Sequence, residues 1–379
     1  MYGTLRALAA EYPSLASVAT LGCAASEAGA GGDASLPILA LELRGSSARD
    51  YSKPIAELVG AMHGDEQIGA ELALDLASKI LAAGAGGTIL ASMDLTVVPV
   101  SNPWGYENDS RYNRDTVDLN RNFDWAWTYG DADTCKGSSA MSELESKAIA
   151  ADAKAKLYDL AITMHSGAFC ISLPWDYIAT SSTEYDYSDA QYLNLYSPAQ
   201  ALFDEQGAAY ASLVGTVQGP GSFSSTQGGD WYIVCGSYAD WLYGTLGCPG
   251  YTVELAPYYN WDSQPASLGA EVLAAHEKAM LGLLASARLG ARGRVTRSLA
   301  AVSLALVKAA PSPAGKSVNP PPEPYTACAY SNQDGYYYIP LPEGSWSLTA
   351  SSGGVESAAA AATVLADGPS APVGISIGP

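Results

Sequence analysis

The chain has 379 residues, 48% of them hydrophobic and 15% charged, a balance typical of globular proteins with a sizeable buried core. Its 39 acidic and 19 basic residues give a formal net charge of −20, and so acidic a surface argues against nucleic acid as a partner. No apolar run approaches the roughly eighteen residues that a membrane span needs. Residues 1–14 also lack the basic segment and apolar core of a signal peptide.

From residue 37 onward, apolar runs alternate with helical patterns. Strands are predicted at 38–43, 55–62, 95–100, 160–164 and 251–255. Helices are predicted at 69–82, from the capping box at 142–145 to residue 156, and at 267–289. This alternation predicts an α/β fold in which a parallel or mixed central β-sheet is flanked by helices.

The pattern changes after residue 289. Residues 290–294 read as a linker, and short apolar runs follow at 302–307, 336–341 and 346–350. Asp334-Gly335 and Glu343-Gly344 are turn signals directly ahead of two of these runs. The sequence therefore predicts two domains, an α/β domain over residues 1–289 and a small all-β sandwich over residues 290–379.

The six cysteines are scattered, and none has the CxxC spacing of a structural zinc cluster. Cys235 and Cys248 lie in a segment that we expect to fold back on itself. One disulfide between them and a pair of buried free thiols are both open interpretations.

Two of the three histidines stand where a predicted strand runs into a loop. His63 is followed three residues later by Glu66, and His165 follows the strand at 160–164. A lone histidine at such a place is more often a core residue, but two at equivalent strand ends, one beside a glutamate, favour a metal site. Two histidines and one glutamate are the ligands of a catalytic zinc ion that keeps a position open for water. His276 lies within a predicted helix and is interpreted as structural.

The polar segment between these histidines carries Arg111 and Arg121. Arg121 stands between two asparagines and just before Phe123. A guanidinium binds a carboxylate through two parallel hydrogen bonds, so we interpret Arg121 as an anion receptor.

Five motifs in this order carry a family resemblance: MHGDE at 62–66, NPWGYE at 102–107, DLNRNF at 118–123, MHSGAFCISLPWDY at 164–177 and GGDWYIVCGSYADWLYGTLGCPGYTVEL at 228–255. The chain resembles the zinc metallocarboxypeptidases of the funnelin family, most closely the branch that includes carboxypeptidases D, E, N and M. The motifs are spread across most of residues 1–289. The resemblance implies the mixed central sheet of that family.

The resemblance also implies roles for single residues. His63, Glu66 and His165 match the ligands of one Zn²⁺ per chain. Glu254 matches the general base that activates the zinc-bound water and then protonates the leaving amine. Arg111 matches the arginine that polarises the scissile carbonyl.

Further positions match residues that hold the substrate or orient a ligand. Asn120 and Arg121 match the pair that grips the C-terminal carboxylate, and Tyr232 matches the mobile tyrosine that closes over it. Asp118 matches the carboxylate that orients the first zinc histidine. Ala239 stands where the branch typically has a glutamine that helps to hold a basic side chain, so the preferred C-terminal residue stays open.

The string SNQDGYYYIPLPEGSWSLTASSGG at 331–354 is similar to the transthyretin-like, or carboxypeptidase regulatory-like, sandwich that follows the catalytic domain in that branch. Such modules are common in secreted proteins. The resemblance therefore implies a periplasmic or extracellular location, and a cytoplasmic one stays open.

The implied function is hydrolysis of the C-terminal peptide bond of a peptide or peptide-like substrate with a free carboxylate, with no nucleic-acid partner, no membrane span and an open oligomeric state. One alternative is a zinc amidase or deacylase that acts on peptidoglycan peptides or amino-acid conjugates. Another is a non-catalytic binding module, which the loss of Glu254, Arg111 or a zinc ligand would have indicated.

Overall fold

The computed structural model describes residues 1–26, 31–129, 135–179, 200–258, 266–311, 327–365 and 370–378. Within these ranges the helices are α1 Tyr2–Glu11, α2 Ile68–Ala83, α3 Thr88–Ser92, α4 Pro103–Glu107, α5 Leu144–Lys156, α6 Gln200–Val214, α7 Gly228–Trp231, α8 Tyr238–Trp241 and α9 Ala266–Ala285. Short 3₁₀ segments lie at Leu119–Arg121 and Ser286–Arg288. Among the described residues, none of the helices has the length and apolar character that a transmembrane span requires.

The first ten strands are β1 Ala16–Ala25, β2 Gly32–Leu43, β3 Ile55–Val59, β4 Asp94–Val98, β5 Leu160–His165, β6 Cys170–Leu173, β7 Thr216–Val217, β8 Gly221–Ser222, β9 Ser224–Gln227 and β10 Gly250–Glu254. The remaining strands are β11 Ala291–Arg297, β12 Ala300–Ala301, β13 Leu306–Pro311, β14 Ala327–Tyr330, β15 Tyr336–Ile339, β16 Gly344–Ser352, β17 Val355–Glu356, β18 Ala360–Val364 and β19 Val373–Ser376.

The central sheet has eight strands in the order β1-β2-β4-β3-β5-β10-β6-β9. Its middle strands β4, β3, β5 and β10 are parallel neighbours. Strands β1 and β2 pair antiparallel on one side, and β6 pairs antiparallel with β10 on the other. The predicted mixed sheet flanked by helices is therefore confirmed.

The strands of this sheet send alternate side chains to two apolar cores, as the period-two geometry of a strand requires. On β2, for example, Leu39 and Leu41 belong to one core and Ile38 and Ala40 to the other. The first core also contains side chains of α1, α2, α6 and α9, and the second contains those of α5 and α8. Helices thus cover both faces, which is why the middle strands are apolar throughout.

The residues after Arg288 form two further sheets, one of β12, β11, β15 and β19 and the other of β14, β13, β16, β17 and β18. Side chains from both sheets share a third apolar core. Asn332 Nδ2 donates to the backbone oxygen of Tyr51 at 2.9 Å, so these sheets contact the loop ahead of β3. The Tyr338 hydroxyl donates to the backbone oxygen of Ser52 in the same loop.

Several predictions of local structure were wrong. The segment 290–294 is no linker, because β11 begins at Ala291 and buries Ala291, Gly293 and Val295 on alternate positions. A Cβ on Gly293 would lie 1.8 Å from the backbone oxygen of Val373, so this strand needs glycine at its close approach to β19. The strand expected at 302–307 begins only at Leu306.

The capping box ahead of α5 does not form. Glu143 is the N-cap residue without a side-chain cap, and the Ser142 hydroxyl donates to the Glu143 carboxylate instead. Cys235 and Cys248 are both buried free thiols, and they lie in different apolar cores.

Candidate metal centre and active site

Three parallel neighbours of the central sheet, β3, β5 and β10, end at the same edge, where open α/β sheets hold their ligands. The loop after β3 carries His63 and Glu66, β5 ends in His165, and β10 ends in Glu254. A Cβ on Gly64 would lie 2.0 Å from the backbone of Gly105, so only glycine lets this loop pass so close to α4. The fold therefore brings together four residues that the sequence predicted to act together.

His63, Glu66 and His165 form a compact buried cluster of ligand atoms. His63 Nδ1 lies 2.8 Å from Glu66 Oε1, and His165 Nδ1 lies 2.9 Å from Glu66 Oε2. The two Nδ1 atoms are 3.1 Å apart. The backbone N–H of Ser166 donates to Glu66 Oε2 at 3.1 Å and fixes the carboxylate.

The donor set of this cluster fits a metal ion. His63 Nε2 lies 3.0 Å from Asp118 Oδ1, and because an ionised carboxylate only accepts, the single N–H of a neutral His63 ring is on Nε2. Its Nδ1 then turns a lone pair toward the carboxylate of Glu66 and the ring of His165. With the His63 ring neutral, this group of acceptors has the donor set of a cation site, and two imidazoles with one carboxylate suit zinc.

The cluster also shifts the pKa values of its members. Burial alone would lower the pKa of His63, but the carboxylates of Glu66 and Asp118 outweigh it and raise this pKa to about 9. Burial opposes the ionisation of Glu66, yet His63 and His165 hold its pKa well below the usual range. The pKa of His165 is lowered, chiefly by burial. The chain thus holds an ionised carboxylate at the centre of the cluster.

Asp118 connects the cluster to Arg111. Arg111 Nη2 and Nε both donate to the same oxygen, Asp118 Oδ2, at 2.8 and 3.1 Å, while Asp118 Oδ1 contacts His63. Arg111 Nη1 also donates to Glu66 Oε1 at 3.2 Å. The pKa of Asp118 is held well below its usual range despite burial, because His63, Arg121 and Arg111 surround it. Asp118 therefore orients the His63 ring as a carboxylate beside a metal ligand does.

Asn120 and Arg121 lie in the 3₁₀ turn Leu119–Arg121, which Asp118 caps by accepting from the Asn120 N–H. The Asn120 side-chain oxygen accepts from the backbone N–H of Tyr238 at 3.0 Å. This hydrogen bond fixes the orientation of the Asn120 amide and therefore the position of its NH₂ group. Arg121 Nη1 donates to the backbone oxygen of Asn120 at 3.0 Å. Both side chains are buried, yet both line the cavity described next.

A cavity of about 520 Å³ opens over the cluster. It is lined by eight of the ten residues that the sequence predicted for the site, namely His63, Glu66, Arg111, Asn120, Arg121, His165, Tyr232 and Glu254. Asp118 lies behind His63, as expected for an orienting residue. Ala239 is buried against Gly250 and is not among the lining residues, so the structure does not bring it to the wall of this cavity.

Glu254 and His165 are register partners on the parallel strands β10 and β5. Glu254 is 8% exposed, and its Oε2 has no hydrogen-bond partner among the described residues. Burial raises the pKa of Glu254 to about 8, with a contribution from the charge of Glu66. A general acid or base works best with a pKa near the working pH, so this carboxyl is suited to proton transfer.

Tyr232 follows α7 at the mouth of the cavity and is 44% exposed. Its ring lies 4.7 Å from that of Trp231, edge to face. Burial raises the pKa of the Tyr232 hydroxyl, and the charges of Arg121, Glu254, Asp176 and Arg111 all act on it. The hydroxyl thus lies among the charged groups of the site.

Asp176 lines the cavity as well, and the sequence analysis missed it. It is 6% exposed and accepts hydrogen bonds from the hydroxyls of Ser172 and Ser237 at 3.1 and 2.9 Å. Burial raises its pKa. The sequence did carry a signal for Asp176, which lies between two aromatic residues of the fourth quoted motif. A carboxyl among buried aromatic side chains needs polar partners, which marks it as a candidate for the site.

Comparisons with known proteins agree with this geometry. The model of the family described as zinc carboxypeptidase matches residues 1–264. Carboxypeptidase SOL1 of Arabidopsis thaliana is 27% identical over 332 residues, which cover 85% of this chain and 61% of that protein. Carboxypeptidase D of Mus musculus is 26% identical over 292 residues, which cover 70% of this chain and 20% of that protein. The chain thus spans less than two thirds of these curated relatives.

A carboxypeptidase A from Helicoverpa armigera has a similar fold, with a TM-score of 0.61 and 21% sequence identity, covering 74% of this chain and 71% of that one. Thrombin-activatable fibrinolysis inhibitor gives a TM-score of 0.59 at 20% identity, covering 75% of this chain and 72% of that one. At these identities the similarity concerns the fold alone.

Proposed function

The chain belongs to the zinc carboxypeptidase family, and from that premise we propose that it is a zinc metallocarboxypeptidase that hydrolyses the C-terminal peptide bond of a peptide with a free carboxylate. One observation carries the proposal. The ligand cluster His63–Glu66–His165, the buried carboxyl of Glu254 and the guanidinium of Arg121 all line one cavity.

We propose that one zinc ion binds per chain, with His63 and His165 each offering Nδ1 and Glu66 its carboxylate. A bound zinc ion supplies a Lewis acid that polarises a carbonyl and lowers the pKa of water. Asp118 holds the Nε2–H of His63 and so keeps Nδ1 free to bind.

Glu254 is the proton carrier of the proposed reaction. Its carboxylate takes a proton from the attacking water and passes it to the leaving amine. Both steps suit a carboxyl whose pKa the fold raises to about 8 and whose Oε2 lacks a partner among the described residues. Arg111 carries a fixed positive charge at the edge of the cluster, where it stabilises the oxyanion that forms on the carbonyl.

The remaining residues hold the end of the substrate. Arg121 and the directed amide of Asn120 bind its C-terminal carboxylate, and Tyr232 closes over it from the mouth of the cavity. Asp176 also lines the cavity. We propose that its carboxyl faces the C-terminal side chain of the substrate and favours a basic residue there. Nothing observed favours an amidase, a deacylase or a non-catalytic binding module.

We also propose the domain division at residues 289 and 290, with the C-terminal strands as a transthyretin-like sandwich that supports the catalytic domain. The separate apolar core of those strands supports it. Their resemblance to modules of secreted proteins supports a periplasmic or extracellular location.

The metal proposal is tested by counting zinc in the purified chain after reloading. We expect one zinc per chain and peptide hydrolysis that is lost with a chelator and restored by zinc. The double variant His63→Ala, His165→Ala should lose the metal, whereas His276→Gln, which changes the third histidine, should keep it. Full zinc in the double variant, or hydrolysis that resists chelation, would contradict the proposal.

A further inference from the structure

Glu57 is an ionisable residue in the middle of β3, inside the central sheet. It is fully buried, and its register partners on the neighbouring strands are Thr96 of β4 and Ala161 of β5. The residues on either side of it along β3, Ala56 and Leu58, belong to the apolar core. A carboxyl in such surroundings is costly unless it is hydrogen-bonded, and the proposed reaction gives it no task. Its hydrogen-bond partner therefore indicates its role.

That partner is Tyr238, the first residue of α8. Its hydroxyl donates to Glu57 Oε2 at 2.8 Å, and its side chain is fully buried as well. Burial, aided by the charge of Asp152, raises the pKa of Glu57 to about 8. At neutral pH the carboxyl is therefore mainly protonated, so the pair joins β3 to α8 without a buried charge.

Tyr238 also contacts the 3₁₀ turn that carries the proposed receptor for the substrate carboxylate. Its backbone N–H donates to Asn120 Oδ1 at 3.0 Å. Its ring centroid lies 4.7 Å from that of Phe123, two residues beyond Arg121. The N–H of Phe123 in turn donates to the backbone oxygen of Gly236 at 3.0 Å. The start of α8 thus holds this turn on both sides of Arg121.

These contacts form one continuous path from the interior of the sheet to the cavity. The path runs from Glu57 through the hydroxyl and the backbone N–H of Tyr238 to the side chain of Asn120, which lines the cavity. Glu57 is not among the lining residues, so any effect that it has on a substrate passes through Tyr238. Such an effect can be large, because misplacing a binding group by about 1 Å weakens its interaction strongly.

We propose that Glu57 is a positioning residue for the substrate carboxylate, because its hydrogen bond to Tyr238 keeps the amide of Asn120 directed at the carboxylate that Arg121 binds. The inference rests on the proposed function and deepens it. It assigns part of the recognition of the free C-terminus to a residue that does not touch the substrate.

Four single variants separate this role from a general effect on the core. Glu57→Leu removes the acceptor of the hydrogen bond, Tyr238→Phe removes the donor, and Glu57→Gln keeps an acceptor. The matched control is Thr96→Val, since Thr96 lies beside Glu57 on β4, is also buried, and contacts Lys156. Circular dichroism and zinc content verify that each variant is folded and loaded.

The readout is kcat and KM for pairs of peptides that differ only in a free or an amidated C-terminus. Glu57→Leu and Tyr238→Phe should each raise KM for the free acid about tenfold, as for a weakened hydrogen bond to a charged group, with kcat and the rate on the amide nearly unchanged. Glu57→Gln and Thr96→Val should keep the wild-type ratio of acid to amide. The double variant Glu57→Leu, Tyr238→Phe should lose no more than either single variant, because both act on one hydrogen bond.

The outcomes separate this inference from the proposed function. A wild-type acid-to-amide ratio in the Glu57→Leu or Tyr238→Phe chain, no rescue by Glu57→Gln, an equal loss in Thr96→Val, or additive losses in the double variant would overturn the inference and leave the proposed function intact. A wild-type chain that does not distinguish free acids from amides would overturn the proposed function, and this inference with it.

Discussion

Glu254 and His165 stand opposite each other at the carboxyl ends of two hydrogen-bonded parallel strands, β10 and β5. The backbone ladder of the sheet therefore fixes the separation between the proposed metal ligand and the proposed base. Catalytic groups placed on strands are held more precisely than groups on loops. The central sheet thus sets part of the geometry of the proposed active site.

The substitution Glu254→Gln keeps the volume and polarity of this side chain but removes proton transfer. We expect kcat to fall by about 10²- to 10⁴-fold, the usual contribution of general acid–base catalysis. Zinc content and KM should change little, because Glu254 is not a ligand. Steady-state kinetics with parallel metal analysis checks this, and a variant that retains more than a tenth of the wild-type kcat would exclude Glu254 as the base.

The substitution Arg121→Met removes the receptor for the substrate carboxylate. We expect kcat/KM to fall by about 30- to 900-fold, which corresponds to about 2–4 kcal/mol for a lost charge-assisted pair. The same variant should hydrolyse free-acid and C-terminally amidated peptides at similar low rates. If it still prefers free acids as strongly as the wild type does, the receptor lies elsewhere.

Much of this site follows from the sequence because its residues occupy strand ends and a short turn. The spacing of His63 and Glu66, the strand ahead of His165 and the position of Glu254 are all local features, and parallel strands then bring them to one edge. The strands β3, β4, β5 and β10 were predicted for a similar reason. Helices cover both faces of the sheet, so these strands are continuous apolar runs that the sequence shows directly.

The sequence did not reveal features that depend on distant contacts. Asp176 enters the cavity because Ser172 and Ser237, which lie on different segments, hold its carboxyl there. Segment 290–294 looks like a linker, and only the approach of β15 and β19 makes it a strand. The helix α1 and the strand β1 were not predicted. In β1, small residues weaken the alternation of apolar and polar side chains that indicates a strand.

The substitution Asp176→Asn tests the side-chain preference. We expect the wild type to favour C-terminal lysine or arginine over leucine, and the variant to lose about 10- to 150-fold of that ratio, as for a hydrogen bond to a charged group. Competition between two peptides that differ only in the last residue measures the ratio directly. An unchanged ratio would remove Asp176 from substrate recognition.

His276 makes stability depend on pH. It is fully buried, its Nε2–H donates to the Leu255 backbone oxygen at 3.0 Å, and its Nδ1 accepts from the Tyr210 hydroxyl at 2.8 Å. Burial lowers its pKa from 6.5 to about 4. Between about pH 4 and 6.5 the unfolded chain therefore binds a proton at His276 that the folded chain does not bind. The free energy of unfolding falls as the pH falls through this range.

The matched control is His276→Gln, which offers one donor and one acceptor without titrating. Between pH 7 and pH 5 we expect the free energy of unfolding of the wild type to fall by about 2 kcal/mol more than that of the variant. Urea unfolding at both pH values provides the comparison, and titration of the other groups cancels in the difference. Equal losses in the two proteins would show that His276 is charged when folded.

The most direct test of the central claim uses pairs of peptides that are identical except for a free or an amidated C-terminus. Mass spectrometry follows each pair with the zinc-loaded chain, with the chelated chain and with the Glu254→Gln variant. The account predicts loss of one C-terminal residue from the free acids alone, and only with the zinc-loaded wild type. Internal cleavage, equal cleavage of the amides, or cleavage by the Glu254→Gln variant at the wild-type rate would contradict it.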